Sequence, residues 1–92
     1  MTATKALNPI QVGNPVFIRS VTHHYTGRIV EITPEVLILE DAAWIASDGR
    51  FHEALTKGVL DEVEPYSDPV AINRGAILDV TLWRHPLPRE VK

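Results

Sequence analysis

Short apolar runs of strand length, each bounded by Gly, Pro, Asn or Asp, divide the chain. Val16-Phe-Ile-Arg-Ser-Val21 predicts the first strand, and Thr22-His-His-Tyr-Thr-Gly27 links it to a second over 28–32 as a hairpin or a bent continuation. Thr33-Pro34-Glu35 makes a turn into the unbroken apolar run Val36–Leu39, within a strand over 36–41. The block from Tyr25 to Trp44 therefore predicts two bent, tightly connected strands ending in an acidic corner at Glu40-Asp41. After Asp41 the period changes. Phe51, Ala54 and Leu55 share one helical face, Ser47-Asp48 offers an N-cap, and Lys57-Gly58 closes the helix. No capping box is present, because Arg50 and Phe51 stand three residues beyond Ser47 and Asp48. Strands resume over 60–64, 70–73 and 76–83, separated by Pro65, by Ser67-Asp68-Pro69 and by a kink at Gly75. The pattern predicts a mainly β domain over 16–84, a small five- to six-stranded antiparallel barrel-like sheet with one short α-helix between strands 3 and 4. Residues 1–15 read as an arm, with breakers at Asn8-Pro9 and Gly13-Asn14-Pro15. The proline-rich segment 85–92 cannot continue a ladder and is expected to lie extended over this subunit or a neighbour.

A length of 92 residues fits one domain, and 45% hydrophobic against 23% charged residues is the balance of an ordinary globular core. The chain has no cysteine, so thiolate nucleophiles, disulfides and sulfur-based zinc sites are excluded. A net charge of −3 speaks against a protein that grips phosphate backbone, an affinity built from many Lys and Arg, so nucleic acid is an unlikely partner. No apolar run approaches a membrane span and no h-region of a signal peptide is present, which leads to the expectation of a cytoplasmic protein without a membrane partner.

Candidate chemistry is sparse. His23-His24 invites a metal reading, but adjacent strand residues point to opposite faces, and His52-Glu53 lacks the second histidine one turn on. Serines 20, 47 and 67 have no nucleophile elbow, and the glycines are dispersed at turns without forming a phosphate loop. Glu62 and Glu64 share a strand face and read as a solvated acidic edge. No catalytic residue, metal or cofactor is expected. The side chains suited to a ligand are Arg28, Arg50 and Arg74 for an anion, with Tyr25, Trp44 or Trp83 stacking on a base. Three of them have a structural reading beside this one: Trp44 and Trp83 as core or interface, and Arg74 in an ion pair with Asp41 or Asp79.

Two resemblances extend this reading. Gly27, alternating apolar residues, a turn, Leu37-Ile-Leu39 and Glu40-Asp41-Ala42 resemble the first motif of the Sm and Sm-like family, and Asn73-Arg74-Gly75-Ala76-Ile77-Leu78-Asp79-Val80 resembles its second. The resemblance implies a small Sm/SH3-like barrel that associates in rings through edge strands. It does not carry the RNA site, because the family's Asp and Asn fall here at Thr33 and Val36, and the helix lies between the motifs instead of before them. Over residues 16–82 the order of segments is also similar to small β-rich proteins of phages and bacteria, some of which sequester nucleotide-derived signals as oligomers. Together these lead to the expectation of a non-enzymatic homo-oligomeric binding protein that captures a small anionic, nucleotide-derived ligand. The alternatives are a structural or assembly subunit with no small ligand and, more weakly, an Sm-like RNA-binding protein.

Overall fold

A computed structural model describes residues 7–92 of the chain. Its elements are β1 (Pro15–Ser20), β2 (His24–Ile32), β3 (Val36–Ser47), α1 (Phe51–Lys57), β4 (Glu62–Pro65), β5 (Val70–Asn73) and β6 (Ile77–Leu82), with a 3-10 turn over Arg74–Ala76. All pairings are antiparallel in one six-stranded sheet of order β4-β3-β2-β1-β6, with β5 also on β3. β3 is long enough to seat two short strands on one edge, β5 along Val36–Leu39 and β4 along Ala43–Ser47. The mainly β architecture and the helix between the third and fourth strands are as the sequence predicts. The barrel is not: β5 and β6 are joined through the 3-10 turn without pairing to each other, so the sheet stays open along that seam.

The sequence ends the third strand at Asp41, where alternation fails. The strand in fact continues to Ser47, and the failure is a bulge. Thr26 faces Ala43 and Arg28 faces Glu40, so Asp41 and Ala42 together oppose Gly27. Asp41 takes the left-handed region at φ 50, a conformation Asp tolerates better than most residues. The extra residue shifts the alternation by one, so that Ala42 joins Leu37 and Leu39 on one face of the sheet and Ala43 and Ile45 are buried on the other. One face carries Val16, Ile18, Ile29, Leu37, Leu39, Ala42 and Ile72. The other carries Phe17, Ala43, Ile45, Val63 and Trp83 and is covered by Ala54 of α1, by Leu60 and by Leu87.

Two glycines answer to this packing. A Cβ on Gly27 would stand 3.0 Å from the Leu39 Cβ and 3.2 Å from the Ala42 Cβ. Gly58 ends α1 at φ 72, and its missing Cβ makes room for the His85 ring. The helix start departs from expectation. Arg50 occupies the N-cap without a side-chain bond, while Asp48 lies 3.3 Å from His24 Nδ1.

Segment 83–92 closes the second face. Trp83 Nε1 donates to the Pro86 carbonyl at 3.2 Å, and the His85 ring packs edge-on against Trp83 with Nε2 2.8 Å from the Leu55 carbonyl. Arg89 donates to the carbonyls of Ala42 and Tyr66, and Lys92 exchanges both backbone bonds with Val63, which occupies the outer edge of β4. Before the sheet, Gly13 and Asn14 bond the backbone of Ile29; the expected arm's residues 1–6 lie outside the described part. No helix among the described residues is long and apolar enough to cross a membrane.

Three outcomes follow from this packing. Gly27→Ala gains at most ~1 kcal/mol of strand entropy but forces Leu39 and Ala42 aside, and overpacking of roughly 1–3 kcal/mol wins, read as a lower denaturation midpoint. Thr26 is fully buried and its Oγ1 has no hydrogen-bond partner among the described residues, so isosteric Thr26→Val raises stability by about 1 kcal/mol in the same assay. Across β1 and β6, Arg19 holds Asp79 through its Nε and a terminal nitrogen, and this hydrogen bonding keeps the Asp79 carboxyl below its ordinary range. A depressed carboxyl pKa contributes stability above the unfolded value that is lost as pH falls through the folded one. Melting temperature therefore falls more steeply on acidification for the wild type than for Asp79→Asn, by a small margin because the pair is exposed.

Candidate functional site

The strand register sets five residues abreast: Val80, Ile18, Tyr25, Trp44 and Glu64 follow one another across β6, β1, β2, β3 and β4. Directly paired residues share a face of the sheet, so all five belong to the face that carries Ile18 in its core. The row is buried at Ile18 and opens towards β4, where Tyr25 is half-buried, Trp44 is 37% exposed and Glu64 is exposed. Glu64 therefore stands beside the Trp44 ring as a solvated carboxylate.

His23 completes the aromatic surface from the β1–β2 turn. Its ring meets Trp44 edge-on at 5.5 Å between centroids and lies 6.3 Å from Tyr25. Ser20 Oγ donates to the His23 carbonyl and accepts from the His23 N–H, fixing the turn, while Thr22 Oγ1 lies 2.7 Å from the imidazole Nδ1. Tyr66 joins on the other side of Tyr25, at 6.4 Å. Burial raises the Tyr66 phenol above its ordinary pKa, with Tyr25 adding to the effect, so the phenol stays neutral and able to donate. A cleft of about 250 Å³ runs beside the tryptophan, lined by Thr22, His23, His24, Trp44, Ile45, Ala46 and Asp48. None of these is Lys or Arg.

His24, next in sequence to His23, turns to the opposite face, packs on Phe17 at 5.6 Å and faces Asp48. Among the described residues no group of three or more His, Asp or Glu is placed to hold a metal ion.

Of the six ligand residues expected from sequence, the fold brings together Tyr25 and Trp44. Arg28 lies three residues further along β2, 2.6 Å from Asp41 and 3.7 Å from Glu40. Arg50 is exposed ahead of α1, where its carbonyl accepts the Ala54 N–H. Arg74 sits beyond the β2–β3 turn and donates to the Thr33 carbonyl at 2.8 Å; its expected carboxylate partners Asp41 and Asp79 are held by Arg28 and Arg19. Trp83 is 2% exposed, stacked on Phe17 at 5.8 Å, and forms core instead of a ligand platform. The three arginines and the two tryptophans do not converge.

His23, Tyr66 and Glu64 are the residues that sequence reasoning did not place here. His23 had a usable signal, its two-residue offset from Tyr25, which puts both on one strand face. Tyr66 follows Pro65 in a stretch that reads only as a turn, and its position comes from the backbone bond of its N–H to the Ala42 carbonyl. Comparison of the chain with protein-family models, with curated proteins and with solved structures finds no significant match.

Proposed function

We propose that this protein is a non-enzymatic binding protein that holds a flat, nitrogen-bearing ring, such as the base of a nucleotide-derived ligand, against Trp44. The observation that carries the reading is an exposed indole set between two aromatic rings and a solvated carboxylate. A base stacked on an aromatic ring gains about 1–3 kcal/mol, and a ring N–H or exocyclic amine donating to a carboxylate such as Glu64 adds roughly 1.5–3 kcal/mol. The sum, about 2.5–6 kcal/mol, corresponds to dissociation constants from about 15 mM down to tens of micromolar.

The cleft's lining changes the ligand's expected character. No guanidinium lines it, and Arg28 and Arg74 are engaged elsewhere, so the base and not the phosphate is the recognised part. Nucleoside and nucleotide then bind with affinities within about threefold of each other, and added salt changes them little.

Tryptophan fluorescence measures this directly, because Trp83 is buried and contributes a constant background while Trp44 reports the ligand. Titration with adenosine, guanosine and cytidine is expected to quench the signal saturably, Trp44→Ala to abolish the change, and Glu64→Gln to weaken binding about tenfold. Absence of quenching by any nucleoside at about 10 mM, from protein with a cooperative melt, overturns the reading.

A further inference from the structure

Backbone bonds around β1 show which groups of β6 are unused. Trp83 N–H donates to the Pro15 carbonyl at 2.9 Å, in line with the β1–β6 register Val16–Leu82, Phe17–Thr81, Ile18–Val80 and Arg19–Asp79. Hydrogen-bonded pairs alternate along an antiparallel ladder, so Phe17–Thr81 and Arg19–Asp79 are bonded pairs. On the other side of β1, Ser20 N–H donates to the His23 carbonyl, which assigns Ile18 and Val16 to β2 and agrees with that alternation. The amides and carbonyls of Val80 and Leu82 therefore point away from β1, along the outer edge of the sheet.

The sheet treats its edges differently. β4 is closed on its outer side by the two backbone bonds between Val63 and Lys92. β5 is four residues long, between Pro69 and the 3-10 turn. β6 runs six residues as Ile-Leu-Asp-Val-Thr-Leu, with no proline or lysine, and its single charge, Asp79, is neutralised by Arg19. Leu78 is 62% exposed at the start of the strand. Free edges are ordinarily defended by lysine, proline, a bulge or a covering segment; among the described residues β6 has no lysine, proline or covering segment, and its one irregularity is the register shift at Leu78, at the start of the strand.

We infer that β6 is a self-association edge, and that its occupant is β6 of a second copy of this chain, antiparallel about a two-fold axis at Val80. The sequence is self-complementary in that register. Val80 lies opposite Val80 of the second copy and exchanges both backbone bonds with it, as its outward groups require. Asp79 faces Thr81 across the axis and Leu82 comes beside Leu78, which the register shift between β1 and β6 leaves without a partner on β1, so apolar residues meet apolar ones and no like charges oppose. Centring the axis on Asp79 would set two carboxylates against each other, which is destabilising. A strand pair of this length spans about 20 Å and buries less than a standard interface of about 1,600 Å², so the dimer is weak and forms near 100 μM, in order of magnitude.

Sedimentation equilibrium of the full chain tests the inference together with amide exchange measured by NMR. The expected result is a mass that rises with concentration from the 10.3 kDa of the chain to twice that value and no further. Over the same range the Val80 and Leu82 amides, which exchange fast in dilute protein, become protected, whereas Asp79 and Thr81 are protected throughout. Leu78→Lys places charge at an exposed position and Val80→Pro removes an amide that no strand of the same copy uses; both are expected to remain monomeric at about 1 mM, and Leu78→Lys to keep the wild-type melt. A wild-type monomer at about 1 mM, growth beyond the dimer, or a dimer that survives Leu78→Lys with unprotected Val80 and Leu82 amides each overturns the assignment. The outcome is independent of whether Trp44 binds a nucleoside.

Discussion

The approach of Gly27 to Leu39 and Ala42 is the contact on which the rest of the sheet depends. Any side chain at residue 27 would occupy the space that brings β2 onto β3 at the Asp41 bulge. Asp41 holds a left-handed backbone there, and the guanidinium of Arg28 anchors its carboxylate, with Arg89 3.9 Å away. Such a conformation costs of order 1 kcal/mol and persists only where its surroundings fix it. The surroundings here are a missing Cβ on one strand and two guanidinium groups around one carboxylate.

The bulge divides β3 into halves with different duties. Before it, Leu37 and Leu39 fill the first core and β5 covers the strand's edge. After it, Ala43 and Ile45 face the second core beneath α1 and segment 83–92, while Trp44 emerges on the first face beyond the reach of β5. Trp44 is open because its cross-strand neighbour on the outer side is Glu64, a carboxylate that stays in water. Had position 64 been apolar, the first core would have extended over the indole and the surface would have been packing.

Much of the fold was legible from the chain. Apolar runs and breakers placed the strands, and the helical face of Phe51, Ala54 and Leu55 placed α1, because hydrophobic periodicity and turn chemistry are local properties. The extent of β3 was hidden, since a bulge breaks alternation in the same way as a strand end. Barrel closure was hidden as well, because it depends on whether β5 and β6 pair across the seam, which no local pattern states. At the site, Tyr25, Trp44 and Trp83 read alike as stacking candidates, but which of them would be exposed and which arginines would join them turned on partners distant in sequence. Asp41 is 13 residues from Arg28 by numbering and adjacent to it only through the hairpin. Trp83 and Trp44 have the same side chain and opposite fates, decided by Phe17 and Pro86 in one case and by Glu64 in the other.

The row Val80–Ile18–Tyr25–Trp44–Glu64 also relates the two surfaces to each other. Val80 ends it on β6 and Trp44 lies three strand spacings away, about 14 Å along a sheet with 4.8 Å between strands. Pairing through β6 therefore covers neither Trp44 nor Glu64, and a ligand on Trp44 touches nothing on the β6 edge. Between them stand Ile18 and Tyr25, paired in the ladder of β6, β1, β2 and β3, so the two surfaces share no side chain. Two copies joined at β6 would carry their indoles at the far ends of one continuous sheet. That arrangement leaves each site's intrinsic affinity unchanged and gains through avidity only for a ligand long enough to reach both ends.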